Sequence, residues 1–459
     1  MNENQLQAGA AAVDITPQGR VTLAGHLTRR YAEGVEDALH ARAIVIDNGS
    51  TKVVFVLIDL IAFGHEDCDD VRRSIADELK IPISNVCVSC THTHYAPGTK
   101  EGFETPREGE YLDWAKPRMI QAVVDAAKSL APAQVAWGIG HEGRPQYNRR
   151  FHMRDGSVRF NPGDPVNAMR PAGPTDPQLP LLLLRRADNG EAIAVLANYS
   201  LHYIGDHGGH KICSDYFGEF SRLAKERLGD SCVALLTHGA SGDINNSNHQ
   251  KLPEPWYPAE MKPRQRSGII AGMLLDQVQK IWDAADWHDE AVLAATQDIY
   301  DLKVRKISGD EIEKAKREEA DESMGTISRH YATERLKLLE FPDTLPQVVS
   351  SLRVGDWAAS TLTGEIFCQF GLDVKHASPF PVTALIELAN GYGGYTPTRY
   401  SYALGAYETW LARSAFSAPG SGEEMVAIAA RQLHELWLEK DKEKIEAAEV
   451  TSFDPFWGR

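Results

Sequence analysis

The first two-thirds of the chain alternates short apolar runs with amphipathic stretches, and this alternation constrains the fold more than any other feature of the sequence. Apolar runs of about four to eight residues are typical of buried strands, and apolar residues spaced about three to four apart are typical of helices. Strands that alternate with helices indicate an α/β architecture. Strands are predicted at residues 42–47, 53–60, 86–91, 135–138, 179–184, 193–199 and 232–237, and helices at 67–79, 111–130 and 217–228.

The last third of the chain continues this pattern around one charged stretch. Strands are predicted at 358–362 and 382–388, and an amphipathic helix is predicted at 423–438. Residues 303–339 are rich in Glu, Lys and Arg, which predicts an inserted pair of surface helices, with a lid over a site as the alternative. No internal repeat or linker is visible. We therefore expect one large α/β domain over residues 1–459, built on mixed β-sheets flanked by helices.

Charge and hydropathy argue against several classes of protein. The chain has 48 Lys and Arg against 64 Asp and Glu, a formal net charge of −16, and so lacks the basic surface that nucleic acids and anionic membranes require. No run of about 18 apolar residues occurs, so no membrane insertion is expected. The N-terminus shows neither a basic segment nor an apolar core, so no signal peptide is expected. Six scattered cysteines, mostly in apolar runs, favour a cytoplasmic protein. We expect its partner to be a small-molecule substrate, and the sequence leaves the oligomeric state open.

Histidine is concentrated in one part of the chain. Nine of the sixteen fall between residues 92 and 249, and neutral imidazole is a common ligand of transition metals. After the strand at 86–91, period-two alternation places His92 and His94 on one face. His202 and His238 each follow another apolar strand. In α/β sheets the ligand crevice lies outside the carboxyl ends of the strands, so these segments predict a metal or catalytic site there, against the alternative of ordinary polar loop residues.

Competing motifs are weaker. Residues 138–143 match G-x-G-x-x-G after a strand, but no helix follows that could direct its N-terminus at a pyrophosphate. Ser241 lies in Gly-Ala-Ser-Gly, which is not the G-x-S-x-G of a nucleophile elbow. Cys87 and Cys90 have C-x-x-C spacing, but on a strand their side chains point to opposite faces, which disfavours a redox or zinc-binding pair.

The segment Thr91-His-Thr-His-Tyr-Ala-Pro-Gly98 is similar to the T-H-T-H-S-G-P-G signature of the neutral (alkaline, non-lysosomal) ceramidases. Further resemblances follow in the family's order over roughly residues 8–415, and this shared order makes a chance match an unsatisfactory explanation. They are Val13-Asp-Ile-Thr-Pro17, Asp59, Asn148-Arg149, His202 with Ser214-Asp215, Gly242-Asp243, Gly364-Glu365, Asn390-Gly-Tyr392-Gly-Gly-Tyr395 and Tyr407-Glu408.

The resemblance implies a zinc site at the strand ends. In the family, zinc is held by the first histidine of T-H-T-H, a second histidine at a strand end, a glutamate in a G-E segment and a tyrosine. Two nitrogens and two oxygens also suit Zn²⁺. Carried over to this chain, the implied ligands are His92, His202, Glu365 and Tyr395. The groups implied to face the substrate carbonyl are His94, Arg149 and Tyr407, with a surface charge or a structural ion pair as the alternative for Arg149.

The implied reaction is hydrolysis of an amide bond by water that zinc activates. His94 and Asp243 are candidates for accepting the proton from that water. The chain also departs from the family, because Asn245 stands where ceramidases have a serine with a catalytic role, and an amide cannot relay a proton as a hydroxyl does. We therefore include Asn245 among the candidate catalytic positions.

The departures favour a substrate smaller and more polar than ceramide. Besides Asn245, the loops at 141–180 and 245–262 are rich in Arg, Asn, Pro and Gly, and neither the family's further C-terminal domain nor its secretion signal is seen. Two alternatives stay open. One is a zinc-dependent esterase, lactonase or carbohydrate-directed hydrolase, and the other is a zinc-containing binding protein that has lost catalysis.

Overall fold

The chain is built on two mixed β-sheets with helices on their outer faces. A computed structural model describes residues 5–206 and 209–438. No helix of these residues has the length and apolarity that a membrane span requires. The described strands are β1 (Gln7–Asp14), β2 (Thr22–Leu23), β3 (Arg30–Tyr31), β4 (Gly34–Val35), β5 (His40–Asp47), β6 (Lys52–Ile58), β7 (Val86–Cys90), β8 (Ala131–His141), β9 (Tyr147–Asn148), β10 (Arg150–Met153), β11 (Val158–Phe160), β12 (Ala168–Pro171), β13 (Gln178–Arg186), β14 (Ala192–Tyr199), β15 (Lys211–Ile212), β16 (Val233–His238), β17 (Ile244–Asn245), β18 (Leu293–Lys303), β19 (Thr344–Val354), β20 (Trp357–Thr361), β21 (Glu365–Ile366), β22 (Val382–Ile386) and β23 (Tyr395–Thr396). The described helices are α1 (His65–Leu79), α2 (Gly109–Lys128), α3 (Asp215–Leu228), α4 (Gln265–Asp283), α5 (Asp310–Ala320), α6 (Thr326–Lys337), α7 (Cys368–Ala377), α8 (Arg399–Leu404) and α9 (Ser421–Leu438).

Both principal sheets mix parallel and antiparallel pairs. In the described chain the larger sheet has eight strands in the order β16-β14-β13-β8-β1-β5-β6-β7, and the smaller has four in the order β18-β19-β20-β22. Most neighbours are antiparallel, but β6 and β7, β14 and β16, and β20 and β22 run parallel. The predicted class, an α/β fold with mixed sheets flanked by helices, is confirmed.

The two sheets pack face to face around a shared apolar core. On β7, Cys87 packs in this core, whereas Cys90 packs beneath α1 and α2 on the other face, as strand alternation predicts. Helices α3 and α4 cover the rest of that face, and α7 and α9 cover the outer face of the smaller sheet. The layers are therefore helix, sheet, sheet and helix. The shared core favours a single domain over residues 1–459, which stays a prediction.

Strand β1 lies near the middle of the larger sheet, although sequence patterning did not identify it. Its residues are mostly Ala and Gly, which have low strand propensity. It nevertheless pairs with β5 along its whole length and with β8 at its start. The small residues let α2 pack closely, because a Cβ on Gly9 would collide with the carbonyl oxygen of Ala126. Helix α4 and strands β18 and β19 are likewise missing from the sequence-based prediction.

The segment that follows β22 brings the two edges of the larger sheet together. Strands β7 and β16 are at opposite ends of the strand order. The backbone N–H of Glu387 donates to the carbonyl of His238, the last residue of β16, at 3.0 Å. The N–H of Asn390 donates to the carbonyl of Val88, on β7, at 2.7 Å. Side chains that follow β7 and those that follow β14 and β16 therefore face a common space.

The charged stretch at 303–339 forms helices α5 and α6, as predicted. They are inserted between β18 and β19, which pair along their whole length. Helix α6 is not simply a solvated surface helix, because its Glu334 is buried. Glu334 accepts hydrogen bonds from the N–H of Phe103 at 2.8 Å and from Nη2 of Arg413 at 2.7 Å. Helix α6 thus packs behind the loop that joins β7 to α2.

Candidate metal centre

Three potential ligand atoms from distant parts of the chain meet near the strand ends. His92 lies just beyond β7, His202 lies just beyond β14, and Glu365 begins β21. Nε2 of His92 is 3.1 Å from Nε2 of His202. Oε2 of Glu365 is 3.5 Å from Nε2 of His92 and 3.7 Å from Nε2 of His202. All three side chains are buried.

These separations fit a tetrahedral metal ion. Bonds of about 2.0–2.1 Å in tetrahedral geometry place ligand atoms about 3.3–3.4 Å apart. Oε2 of Glu365 is buried and has no hydrogen-bond partner among the described residues, a deficit that a cation would satisfy. Nδ1 of His92 lies 2.7 Å from the carbonyl oxygen of Ile61, a contact that orients Nε2 towards the other two ligand atoms. The residues present therefore fit a metal.

His94 completes a group of three buried histidines. Its ligand atom and those of His92 and His202 all lie within 4.8 Å of one another, so the group could hold a metal ion. The His94 ring stacks on Tyr203 at a centroid distance of 3.6 Å, and neither of its nitrogens has a hydrogen-bond partner in the described chain. Burial, together with the neighbouring His92, holds the pKa values of His94 and His202 well below the usual range. Both rings are therefore neutral, which is the form that binds metals.

Two short strands place Glu365 beside Tyr395. Strands β21 and β23 are parallel, with Glu365 opposite Tyr395. The strands approach closely because residue 364 is glycine: its φ is +99°, and a Cβ there would collide with the carbonyl of Gly394. His92 has a φ of +63°, a left-handed conformation that is uncommon for residues with side chains. The backbone is thus shaped around the candidate ligands.

A cavity of about 110 Å³ adjoins His92 and Glu365. Tyr392, Tyr395 and Tyr407 form an aromatic part of its wall. The Tyr392 hydroxyl donates to Oε1 of Glu365 at 2.8 Å. Burial raises the pKa of Tyr407 to about 12, so this phenol stays protonated and able to donate at neutral pH. Other lining residues include His26, His94, Lys100 and Phe103.

Arg149 lies behind Tyr395 and is not part of the cavity wall. Its Nε donates to Oε1 of Glu408 at 2.9 Å, and its Nη2 donates to the carbonyl of Gly242 at 2.5 Å. Its Cζ is 5.5 Å from the centroid of the Tyr395 ring. Nη1 of Arg150 donates to the other oxygen of Glu408 at 2.9 Å. Arg149 therefore combines a structural ion pair with a position next to a candidate ligand.

Asp243 and Asn245 also lie outside the cavity wall. The Asp243 carboxylate accepts hydrogen bonds from the backbone N–H of Cys368 at 2.8 Å and from Nδ2 of Asn148 at 2.7 Å. Asn245 donates from Nδ2 to the side-chain oxygen of Asn161 at 2.8 Å. Their polar groups thus have partners of their own away from the histidines, so the geometry does not favour the catalytic roles expected from the sequence.

Asp243 is expected to make the stability of the protein depend on pH. Burial raises the pKa of Asp243 from 3.8 to about 6. Between these values the folded chain retains a proton that the unfolded chain has released, so this group's contribution to stability falls as pH rises through the window. The full contribution is about 3 kcal/mol, from about two pKa units at about 1.4 kcal/mol each. Urea unfolding of wild type and Asp243→Asn on both sides of the window measures it, and the variant should lose less stability on going to neutral pH. Identical pH dependence in the two proteins would contradict this expectation.

Behind the candidate ligands lies a buried cluster of polar side chains, His238, Ser241 and Glu387, which only the tertiary structure brings together. Oε1 of Glu387 lies 2.8 Å from Nδ1 of His238 and accepts from the Ser241 hydroxyl, also at 2.8 Å. The His238 ring centroid is 5.7 Å from that of His92 and 5.8 Å from that of His202. The sequence indicates His238 as a residue at a strand end but does not connect it with Glu387. The sequence feature that could have identified Glu387 is its position as an acidic residue within the apolar run at 382–389.

Other histidines of the sequence cluster lie elsewhere or are not described. His210 is half-exposed, with Nδ1 3.6 Å from a carboxylate oxygen of Glu33. His249 contacts Asn161 through Nε2 at 2.8 Å. His207 lies outside the described residues. Among the described histidines, the group that could hold a metal ion consists of His92, His94 and His202.

Comparisons with known proteins agree with this architecture. Residues 6–225 match the family model described as neutral/alkaline non-lysosomal ceramidase, N-terminal. The structure is similar to that of neutral ceramidase from Pseudomonas aeruginosa, with a TM-score of 0.71 at 16% identity, over 94% of this chain and 75% of that chain. It is also similar to a ceramidase complexed with C2, with a TM-score of 0.72 at 16% identity, over 95% of this chain and 76% of that chain. The chain thus matches the neutral/alkaline non-lysosomal ceramidase family model over residues 6–225, and over nearly all of its length it has the fold of neutral ceramidase.

Proposed function

We propose that the protein is a zinc-dependent hydrolase that uses water to cleave an amide bond in a substrate smaller and more polar than ceramide. The ceramidase-like family and fold support a ceramidase-type hydrolase. The metal proposal rests on one observation, the convergence of His92 Nε2, His202 Nε2 and Glu365 Oε2 within 3.1 to 3.7 Å. Imidazole nitrogens combined with carboxylate oxygens suit Zn²⁺.

In this proposal His92, His202 and Glu365 hold the ion, and Tyr395, opposite Glu365 on β23, supplies a fourth ligand atom. When bound, zinc would lower the pKa of a coordinated water and polarise a carbonyl group. His94 is the favoured acceptor for the proton of the attacking water, because it lines the cavity and neither ring nitrogen is otherwise engaged among the described residues.

The remaining candidates act on the carbonyl or on its surroundings. Tyr407 lines the cavity with a protonated phenol, which can donate to the carbonyl oxygen as negative charge develops there. Arg149 is a positioning residue in this scheme, because its guanidinium lies beside Tyr395 and is bound by Glu408. It acts on the reaction through the orientation of Tyr395.

Elemental analysis and a substrate panel together test the proposal. Protein purified without added metal should contain about one zinc per chain, because the atoms of His92, His202 and Glu365 converge at one place. Metal-replete protein should hydrolyse simple amides. Full occupancy by another metal, or the absence of any bound metal, would refute the zinc assignment. Turnover confined to esters, lactones or carbohydrate substrates would favour the first alternative, and bound zinc without any turnover would favour the binding protein.

Long-chain ceramide is expected to be a poor substrate. The cavity, at about 110 Å³, is smaller than the roughly 300 Å³ from which pockets for drug-sized ligands begin. A long acyl chain requires a longer continuous apolar groove. Release of fatty acid from long-chain ceramide should therefore be at least about tenfold slower in kcat/KM than hydrolysis of a short polar amide, equivalent to about 1.4 kcal/mol. Faster cleavage of the ceramide would restore ceramide as the preferred substrate.

A cytoplasmic location is also part of the proposal. Five of the cysteines are buried free thiols, which is typical of proteins kept in a reducing compartment. They are Cys68, Cys87, Cys90, Cys232 and Cys368. Cell fractionation with detection of the full chain tests the location.

A further inference from the structure

Lys100 places a positive charge in the wall of the cavity beside the candidate metal centre. It belongs to the loop between β7 and α2, and it lines the same cavity as His92 and Glu365. Its Nζ lies 3.8 Å from the centroid of the Tyr392 ring. No described carboxylate lies within 4.0 Å of this nitrogen. The ammonium therefore contacts an aromatic face but has no acidic partner in the described chain.

The nearby acidic residues are already engaged by other groups. Glu334 accepts two hydrogen bonds from the guanidinium of Arg413, at 2.9 and 2.7 Å, and one from the N–H of Phe103. Glu101, the residue next to Lys100, is bound by Nζ of Lys337 at 2.5 Å. Their charges are therefore largely balanced before Lys100 is considered. Withdrawing an ammonium group from water costs free energy when no counterion is present. A ligand that supplied a negative charge next to Lys100 would therefore bind more tightly than a neutral one.

The charged residues that line the cavity indicate which charge a ligand of Lys100 should carry. Among the described residues that line the cavity, the charged side chains other than histidine are Lys100 and Glu365. Glu365 turns Oε2 towards His92 and His202 and accepts from Tyr392 through Oε1, so it does not serve Lys100 as a direct partner. The charges of Lys100 and Glu365 cancel, so a divalent ion at the histidines would make the net charge of the cavity positive. Electrostatic complementarity therefore favours an anion there.

We propose that Lys100 binds a negatively charged group of the substrate, a carboxylate or a phosphate, so that the substrate is an amide with an anionic group close to the bond that is cleaved. This inference rests on the proposed function and names its substrate class. Tyr392 connects the two sites, since its ring lies under the ammonium and its hydroxyl donates to Glu365. The anionic group would thus lie about one tyrosine ring away from the candidate ligands. Ceramide, which is neutral, would lack this interaction.

Lys100 is partly buried, and it stays mostly charged at neutral pH although this burial disfavours the ammonium. Burial lowers the pKa of Lys100 to about 8, so most of the protein carries the ammonium at pH 7, and a bound anion would stabilise that form further. Replacement by methionine keeps the length and packing of the side chain but removes the charge. Replacement by arginine keeps the charge. Lys128, on α2 and exposed, provides a matched Lys→Met control at a distance from the cavity.

Titration calorimetry with three probes tests the proposal on the full-length, metal-replete protein. The probes are N-acetylglycine, which is a carboxylate, N-acetylethanolamine phosphate, and neutral N-acetylethanolamine. At least one anionic probe should bind about tenfold or more tightly than the neutral one, a difference of about 1.4 kcal/mol. Lys100→Met should remove this preference, while Lys100→Arg and Lys128→Met should retain it. The preferred anionic probe identifies the group as carboxylate or phosphate.

Three results would overturn the proposal. They are equal binding of charged and neutral probes by wild type, tighter binding of the neutral probe, and a preference for anions that survives in Lys100→Met. The last result would place the anion on the metal or on another cation. Thermal unfolding of Lys100→Met checks that the variant is folded, and Lys100→Gln replaces it if it is not. Hydrolysis of the same probes is measured separately: anion binding without turnover would contradict the proposed function alone, and turnover without charge preference would contradict this inference alone.

Discussion

Replacing His92 or His202 with alanine is expected to remove the bound metal and to lower kcat/KM for any amide substrate by about 10³-fold or more, equivalent to about 4 kcal/mol of transition-state stabilisation. Each histidine supplies one of three atoms separated by 3.1 to 3.7 Å, and its loss leaves the proposed site with a single nitrogen ligand beside the oxygens of Glu365 and Tyr395, which should weaken the binding of zinc. Glu365→Gln should also lose metal, because an amide oxygen carries no charge to offset that of the ion. Zinc per chain is measured by elemental analysis alongside initial rates.

The matched control for these variants is His210→Ala. His210 is a half-exposed histidine beside Glu33, outside the buried group, so its replacement should leave zinc content and rate unchanged. Cys87→Ser, in the core between the sheets, should retain zinc as well. Full zinc occupancy in both His92→Ala and His202→Ala would show that the ligand set is wrong. His94 and His238, whose rings lie closest to these two, would then be the next ligands to replace.

Glu408→Ala is expected to destabilise the protein by about 3–5 kcal/mol, the range measured when one partner of a buried ion pair is removed. Glu408 is fully buried and accepts from Arg149 and Arg150, one guanidinium on each carboxylate oxygen, at 2.9 Å in both cases. Both guanidinium groups are also buried. Without the carboxylate, two positive charges would remain in the interior without their counterion. Equilibrium unfolding in guanidinium chloride measures the change.

Two further variants separate charge from shape. Glu408→Gln preserves the size of the side chain but removes the negative charge, so it should recover only part of the lost stability. Asp188→Ala breaks an exposed ion pair with Arg186 and should change stability by less than about 1 kcal/mol. If Glu408→Ala cost no more than Asp188→Ala, the proposed stabilisation by the buried pair would be wrong.

Much of the fold could be predicted because its strands and helices are encoded locally. The apolar run ahead of His92 predicted β7, and the run ahead of His202 predicted β14, each within about two residues of the observed ends. Strand β1 was missed because Ala and Gly carry little strand preference, and its place in the sheet depends on close packing against α2. Local propensity cannot report such a contact.

For the candidate site, sequence determined the chemical types available, and tertiary structure decided which of them meet. The T-H-T-H motif, the second strand-end histidine and the G-E segment indicated His92, His202 and Glu365, because strand alternation and motif order are properties of the sequence alone. Asp243 and Asn245 come from an equally polar strand-end loop, but Asn148, Cys368 and Asn161 bind their polar groups away from the cavity. Which partner a polar group binds depends on long-range packing.

The sequence by itself determined the α/β class, most strands of the two principal sheets and the candidate ligand residues. Only the tertiary structure decided that opposite edges of the larger sheet come together, through backbone hydrogen bonds from Glu387 to β16 and from Asn390 to β7. Those contacts join residues far apart in the chain, and no local periodicity encodes them. The same long-range packing leaves Lys100 in the cavity without an acidic partner, because Glu334 is bound to Arg413 and Glu365 faces the histidines.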